Sequence, residues 1–137
     1  MAHGPSALLA LMLCVSFGTD VAAQQPSIVG TWDWTRKSNN CPEQYVFRAD
    51  GTLLIKSGDE RLERTYLMSW SPEPTGRYKV TLTTVKDSGG RGCADAVETA
   101  TARQNPVYVL FGGSGATMLV CNSPSEADCI GPLRRAE

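Results

Sequence analysis

The sequence contains a single histidine, His3, and it lies in an apolar N-terminal stretch. Beyond that stretch no Ser-His-Asp or Cys-His arrangement can form, and no imidazole is available as a metal ligand. No remaining side chain titrates near neutral pH unless its surroundings shift its pKa. We therefore expect that the protein is not an enzyme and that it holds no metal or cofactor.

Long hydrophobic runs are also missing. Residues 7–17 are apolar almost throughout, but this run is too short to cross a bilayer, which takes roughly 20 residues. Small residues follow it and end in Val21-Ala22-Ala23, as at a signal-peptide cleavage site. A buried N-terminal helix is the alternative, although the polar residues 24–27 look like a new chain start. We expect residues 1–23 to be a signal peptide and residues 24–137 to form one exported domain, periplasmic or extracellular.

Charge of one sign is not in excess. Asp20 is one of the 14 acidic residues, so the chain from Gln24 has 13 acidic and 13 basic side chains. Proteins that bind nucleic acids or anionic membranes normally concentrate positive charge on one face. We therefore expect no nucleic-acid partner, and we expect a monomer without a transmembrane segment.

Cysteine is present in an even number once the leader and its Cys14 are set aside. The remaining cysteines are Cys41, Cys93, Cys121 and Cys129. In a short exported chain such a set indicates two disulfides. A four-cysteine zinc site is the alternative, but it needs closely spaced C-x-x-C pairs, which are absent.

Helical periodicity is nearly absent from residues 24–137. Short runs rich in Val, Thr, Tyr and Trp are separated by clusters of Gly, Pro, Asp and Asn, which is typical of a β-sandwich or barrel. Period-2 alternation indicates strands with one buried face. The pattern predicts eight strands: residues 28–35, 44–48, 52–56, 61–70, 78–86, 94–102, 107–111 and 117–121. A short helix is the alternative for residues 94–102, and residues 122–137 are interpreted as a tail.

Eight antiparallel strands in a chain of this length are most simply arranged as a closed barrel, because closure removes unpaired strand edges. Asp50-Gly51 lies between two apolar runs and predicts a tight hairpin. We expect an all-β, eight-stranded antiparallel up-and-down barrel. Its interior is either filled by side chains or holds one small ligand, and both possibilities stay open for its aromatic residues.

The pairing of the cysteines follows from the order of the loops. In an up-and-down barrel, successive loops alternate between the two ends. Cys41 in the first loop and Cys93 in the fifth share one end, whereas Cys121 after the predicted last strand and Cys129 in the tail share the other. Because bonded cysteines must be close, we predict Cys41–Cys93 and Cys121–Cys129 bridges at opposite ends.

Two further groups of residues receive a structural interpretation. The acidic clusters Asp59, Glu60, Glu63 and Asp95, Glu98 could supply acid–base chemistry, but we expect solvated surface. The glycine-rich segments 112–115 and 89–92 resemble phosphate-binding loops only superficially, since no Lys-Ser/Thr pair follows. We expect a hairpin turn in the first and a flexible loop in the second.

Several features together resemble a known family. Gly30-Thr31-Trp32 in the first strand, Tyr45 with the Asp50-Gly51 hairpin, and an arginine near the C-terminus are similar to calycin barrels, specifically small bacterial lipocalin-like proteins. Avidins and small periplasmic barrel inhibitors of metalloproteases have a similar Gly-Thr-Trp. The resemblance implies that Trp32 plugs one end of the barrel and that Arg134 or Arg135 stacks on it.

The function expected from this resemblance is binding rather than catalysis. One possibility is a small apolar ligand in the barrel, with Tyr66, Met68 and Trp70 as candidate contacts. The alternative is a protein-interaction module of the cell envelope, such as a protease inhibitor or surface antigen, that acts through its loops.

Overall fold

The computed structural model describes residues 25–94 and 104–137, with Met1 and Gly18 as isolated positions. Most of the predicted signal peptide, and all of the predicted strand at residues 94–102 except Ala94, therefore lie outside the described residues. The strands in chain order are β1 Gly30–Arg36, β2 Cys41–Phe47, β3 Thr52–Ser57, β4 Glu60–Met68, β5 Tyr78–Asp87, β6 Gln104–Gly112, β7 Thr117–Cys121 and β8 Cys129–Arg135.

The eight strands form one closed barrel in sequential order, and every neighbouring pair is antiparallel. β7 pairs with β8, and β8 closes the barrel on β1 through Trp32 opposite Arg135 and Asp33 opposite Arg134. The predicted all-β up-and-down barrel is confirmed. Within the described residues, no helix is long and apolar enough to cross a membrane.

The identity of the last strand differs from the prediction. Cys129–Arg135 is β8, whereas residues 122–137 were predicted to be a tail. The segment contains Gly131-Pro132, which breaks the usual strand pattern because proline lacks an amide donor. β5 pairs directly with β6, Gln104–Gly112. Arg134 and Arg135 are therefore the last residues of a barrel strand.

The additional strand at Cys129–Arg135 changes the location of one disulfide. Both predicted bridges are confirmed, Cys41–Cys93 and Cys121–Cys129. Their placement at opposite ends is wrong, because Cys121 and Cys129 flank the β7–β8 connection. That connection lies at the same end as the start of β2, where Cys41 lies, and as the β5–β6 connection, which carries Cys93. We call this the disulfide end and the opposite one the sealed end.

The packed core occupies the half of the barrel near the sealed end. Apart from disulfide-bonded Cys121, the large side chains with almost no exposure all belong to strand segments near that end: Trp32, Leu53, Val80, Val109, Met118 and Leu133. Phe111 and Tyr78 extend the aromatic contacts there, with ring centroids 6.0 Å apart. Most of the interior at this end is therefore filled by side chains.

Trp32 forms the plug of the sealed end. Its side chain is fully buried, and its indole N–H donates to the carbonyl of Ile28 at 2.9 Å. The guanidinium of Arg135 lies 4.1 Å from the centre of the Trp32 ring. Gly30 has a φ of 140°, and a Cβ there would lie 2.5 Å from Nη1 of Arg135. Glycine is thus needed at this position both for its backbone conformation and for the close approach of the arginine.

Candidate functional site

A cavity of about 230 Å³ lies inside the barrel at the disulfide end. It occupies the part of the interior that the packed core leaves unfilled. The strands β2 to β4 supply mainly polar side chains to its wall, and β6 to β8 supply mainly apolar ones. Its described lining is Glu43, Tyr45, Ile55, Ser57, Glu60, Leu62, Arg64, Gly92, Ala94, Val107, Val120, Asn122 and Ile130.

Glu43 is the centre of the polar wall. It is only 6% exposed, because the alternation of β2 turns Glu43, Tyr45 and Phe47 toward the interior. The Ser57 hydroxyl donates to Oε1 of Glu43 at 2.7 Å, and the Tyr45 hydroxyl donates to Oε2 at 3.2 Å. Hydrogen bonds to both carboxylate oxygens offset part of the cost of burying this charge.

The electrostatic environment of Tyr45 reflects this burial. Burial raises the pKa of the Tyr45 phenol well above its ordinary value, and the charge of Glu43 and the hydrogen bond to it raise that pKa further. The positive charges of Arg64 and Arg36 act in the opposite direction. Tyr45 therefore remains protonated at physiological pH and keeps donating its hydrogen to Glu43.

Glu60 is a second buried carboxylate in the wall. It is the first residue of β4 and is 5% exposed, so the prediction that its cluster is solvated is wrong for this residue. On the same strand, Leu62 and Arg64 follow at alternating positions and also line the cavity. A Cβ on Gly92 would lie 2.5 Å from Oε2 of Glu60. The carboxylate thus occupies space that a larger residue at position 92 would take.

The described part of the β5–β6 connection reaches from the end of β5 to the start of β2. Its described part after β5, residues 88–94, is called the strap here. Cys93 fixes the strap covalently to the start of β2, and its backbone N–H donates to Ser57 Oγ at 2.9 Å. The Asp59 N–H donates to the carbonyl of Arg91 at 3.1 Å. A segment predicted to be a flexible loop is therefore held against the turn between β3 and β4.

The opposite wall of the cavity is apolar. Val107, Val120 and Ile130 come from β6, β7 and β8, and each is half-buried and packed against the core. The cavity is therefore amphipathic: hydrogen-bonding and charged groups lie on one side, and aliphatic side chains lie on the other. Such an arrangement suits a small ligand with one polar and one apolar part.

The candidate ligand contacts from the sequence lie elsewhere in the barrel. Tyr66 donates its hydroxyl to the carbonyl of Arg48 at 2.6 Å and packs edge-on against Phe47, with ring centroids 5.0 Å apart. Met68 is half-buried at the last position of β4, and Trp70, beyond the strand, is 86% exposed. The structure does not bring these three together around the cavity, which lies at the other end of the barrel.

Glu43 and Ser57 were not predicted from the sequence as site residues, and Glu60 was interpreted as a surface residue. The predicted second strand began at residue 44, whereas β2 begins at Cys41 and includes Glu43. Extending the alternation of Tyr45 and Phe47 back by one step identifies Glu43, and the same step from Leu62 identifies Glu60. The signal was present, but a charged residue is normally assigned to the solvated face.

The described part of the chain contains no cluster of His, Cys, Asp and Glu side chains that could hold a metal ion. Comparison of the whole chain with protein-family models, with curated proteins and with solved structures gives no match.

Proposed function

We propose that the protein is an exported, lipocalin-like binding protein without enzymatic activity, which holds a small molecule in the cavity at its disulfide end. The observation that carries this proposal is the 230 Å³ cavity itself, which lies next to a tightly packed half of the same barrel. A protein interior is normally filled to crystal-like density, so a space of this size among the described side chains, lined by hydrogen-bonded polar groups, is unusual. The two disulfides support an oxidising, exported environment.

The size of the cavity limits the ligand. Liquid water occupies about 30 Å³ per molecule, so 230 Å³ corresponds to roughly seven or eight waters. This is below the roughly 300–1,000 Å³ of sites for drug-sized ligands. The small apolar ligand considered from the sequence is extended here to one that also carries a polar group, because Glu43, Ser57 and Glu60 form a polar wall.

A set of matched probes tests this proposal. 1-Hexanol, hexylammonium and hexanoate are all unbranched six-carbon molecules, and their head groups are neutral, cationic and anionic, respectively. We expect at least one of them to shift the methyl NMR signals of Val107, Val120 and Ile130 with saturable binding. The methyl signals of Val85, which is exposed on the outer face of β5, serve as the reference for nonspecific association.

Variants that reduce the cavity provide the control. Val120→Phe should abolish probe binding by filling the interior, and the smaller change Val107→Leu should weaken it. Val85→Phe adds the same bulk as Val120→Phe to the outer surface and should leave binding intact. The proposal is wrong if no probe shifts the lining methyls, or if the shifts persist unchanged when the cavity is filled.

A protein-interaction module is the second candidate. Trp70 and Leu67 support it, because they are 86% and 75% exposed near the sealed end of β4, and exposed aromatic side chains are common at interfaces. Cross-linking within the exported fraction, repeated with Leu67→Ser and Trp70→Ser, tests this candidate. A cross-linked adduct that is lost in Leu67→Ser and Trp70→Ser but kept in Val120→Phe would favour the protein-interaction module over ligand binding.

A further inference from the structure

The hydroxyl groups of Ser57 and Tyr45 in the cavity wall both donate their hydrogens to Glu43. The backbone N–H of Cys93 donates to Ser57 Oγ, so the single hydrogen of that hydroxyl points to Oε1 of Glu43. The hydrogen of Tyr45 is committed to Oε2 of the same carboxylate. Toward a ligand, these two hydroxyls can therefore present only lone pairs.

The charges of the described lining residues also disfavour an anionic ligand. Two carboxylates, Glu43 and Glu60, face the cavity with one guanidinium, Arg64, which gives a formal charge of −1. Arg36 is not among the lining residues, and its guanidinium lies 5.3 Å from the centre of the Trp34 ring, although its positive charge also acts on Tyr45. Placing a carboxylate or phosphate in this cavity would add negative charge where two anions are already buried.

The geometry of the wall separates the polar and apolar parts of a ligand. Glu43, Ser57 and Glu60 lie at adjoining ends of β2, β3 and β4, where Glu43 pairs with Ser57 and Ser57 pairs with Glu60. Val107, Val120 and Ile130 lie on the other side of the barrel. A head group that donates hydrogen bonds can thus face the acceptors while a short aliphatic tail contacts the valines and the isoleucine.

We propose that the ligand is a small organic cation, a primary or secondary ammonium with a short aliphatic tail, whose N–H groups donate to Glu43, Tyr45 and Glu60. This inference rests on the proposed ligand-binding function and specifies its ligand class. A charge-assisted hydrogen bond to a carboxylate is stronger than a neutral one. The cationic head should therefore be preferred over an alcohol of the same length, and an anionic head should be rejected.

Calorimetric titration with the same six-carbon probes tests the preference. Hexylammonium should bind about tenfold more tightly than 1-hexanol, and hexanoate should show no saturable binding. Glu43→Gln and Glu60→Gln should each reduce hexylammonium affinity about tenfold and change 1-hexanol affinity little. Glu63→Gln is the matched control, because Glu63 lies on β4 with Glu60 but faces outward and is exposed.

The possible outcomes separate the two proposals. If 1-hexanol or hexanoate binds as tightly as hexylammonium, or if Glu63→Gln weakens binding as much as Glu60→Gln, the cationic ligand is excluded and the small-ligand function survives. If no probe binds the folded protein, both proposals are excluded. Glu43→Gln also disturbs the hydrogen bonds that Ser57 and Tyr45 donate to Glu43. If the far-ultraviolet circular dichroism spectrum shows that this variant is misfolded, the Glu60→Gln result decides the test.

Discussion

Arg135 and Trp32 join the two ends of the described chain at the sealed end of the barrel. The Arg135 guanidinium lies 4.1 Å from the centre of the fully buried indole ring. It also donates to the carbonyls of Val29 at 2.7 Å and Ser27 at 2.8 Å, which belong to the segment leading into β1. One side chain thus covers the plug and fixes the entering chain above it.

Replacing this side chain should destabilise the whole barrel. We expect Arg135→Ala to lower the free energy of unfolding by about 2–4 kcal/mol, because it removes a cation–π contact and charged hydrogen bonds to backbone carbonyls. Arg134→Ala is the matched control, since Arg134 is exposed, and its effect should stay within about 0.5 kcal/mol. Urea denaturation measures both. Equal effects of the two substitutions would show that the contact with Trp32 contributes little.

The two disulfides should contribute unequally to stability. Cys41 and Cys93 are 52 residues apart, whereas Cys121 and Cys129 are 8 apart. In the chain-entropy account, the longer loop is worth about 4 kcal/mol and the shorter one about 2.5 kcal/mol. Paired Cys→Ala variants of each bridge, compared by urea denaturation, measure the difference. A larger loss from removing Cys121–Cys129 would contradict this order.

The local part of the fold could be predicted from the sequence. The Asp50-Gly51 turn is an example: Gly51 has a φ of 84°, and Oδ1 of Asp50 accepts from both the N–H and the hydroxyl of Thr52. These contacts also lower the pKa of the Asp50 carboxyl, the side-chain bond to Thr52 being the largest cause. All of them lie within a few residues, so residue type and spacing are enough to identify the hairpin.

The non-local part could not be predicted in the same way. β8 contains Gly131-Pro132 and gains its strand character from pairing with β7 and with β1, at the other end of the chain. No local sequence pattern within β8 indicates that it pairs with β7 and β1. The predicted cysteine bridges are correct although the predicted last strand is not, because Cys121 and Cys129 are close in either arrangement.

The candidate site was missed for a different reason. Glu43 and Glu60 lie at interior positions of the alternating pattern, but carboxylates are rarely buried. What makes burial possible for Glu43 is Ser57, whose hydroxyl is oriented by the strap through the N–H of Cys93. That relationship joins three separate elements and becomes visible only once the barrel is assembled.

The strap should be sensitive to the size of residue 92. Gly92→Ala places a Cβ 2.5 Å from Oε2 of Glu60, so either the carboxylate or the strap must move, at a cost of about 1–3 kcal/mol. Gly89→Asn is the control in the same segment, because a Cβ at residue 89 meets no atom within 4 Å and asparagine tolerates the positive φ. Urea denaturation should respond more strongly to the first change than to the second, which adds only backbone strain at the positive φ of residue 89, and hexylammonium titration should respond only to the first. Equal stability of the two variants would argue against close packing of the strap on Glu60.

Tyr45 should give the barrel an alkaline limit of stability. Its pKa is raised in the fold, by burial first and by Glu43 next, whereas an unfolded tyrosine ionises near pH 10. The folded state therefore holds the phenolic proton more tightly, and this contribution is complete below about pH 10 and is lost as pH rises from there through the folded pKa. Urea denaturation across pH 8 to 11 should show stability falling at the upper end, and Tyr45→Phe should fall less steeply. If the unmodified protein and Tyr45→Phe lose stability in parallel as the pH rises, ionisation of Tyr45 does not set the alkaline limit.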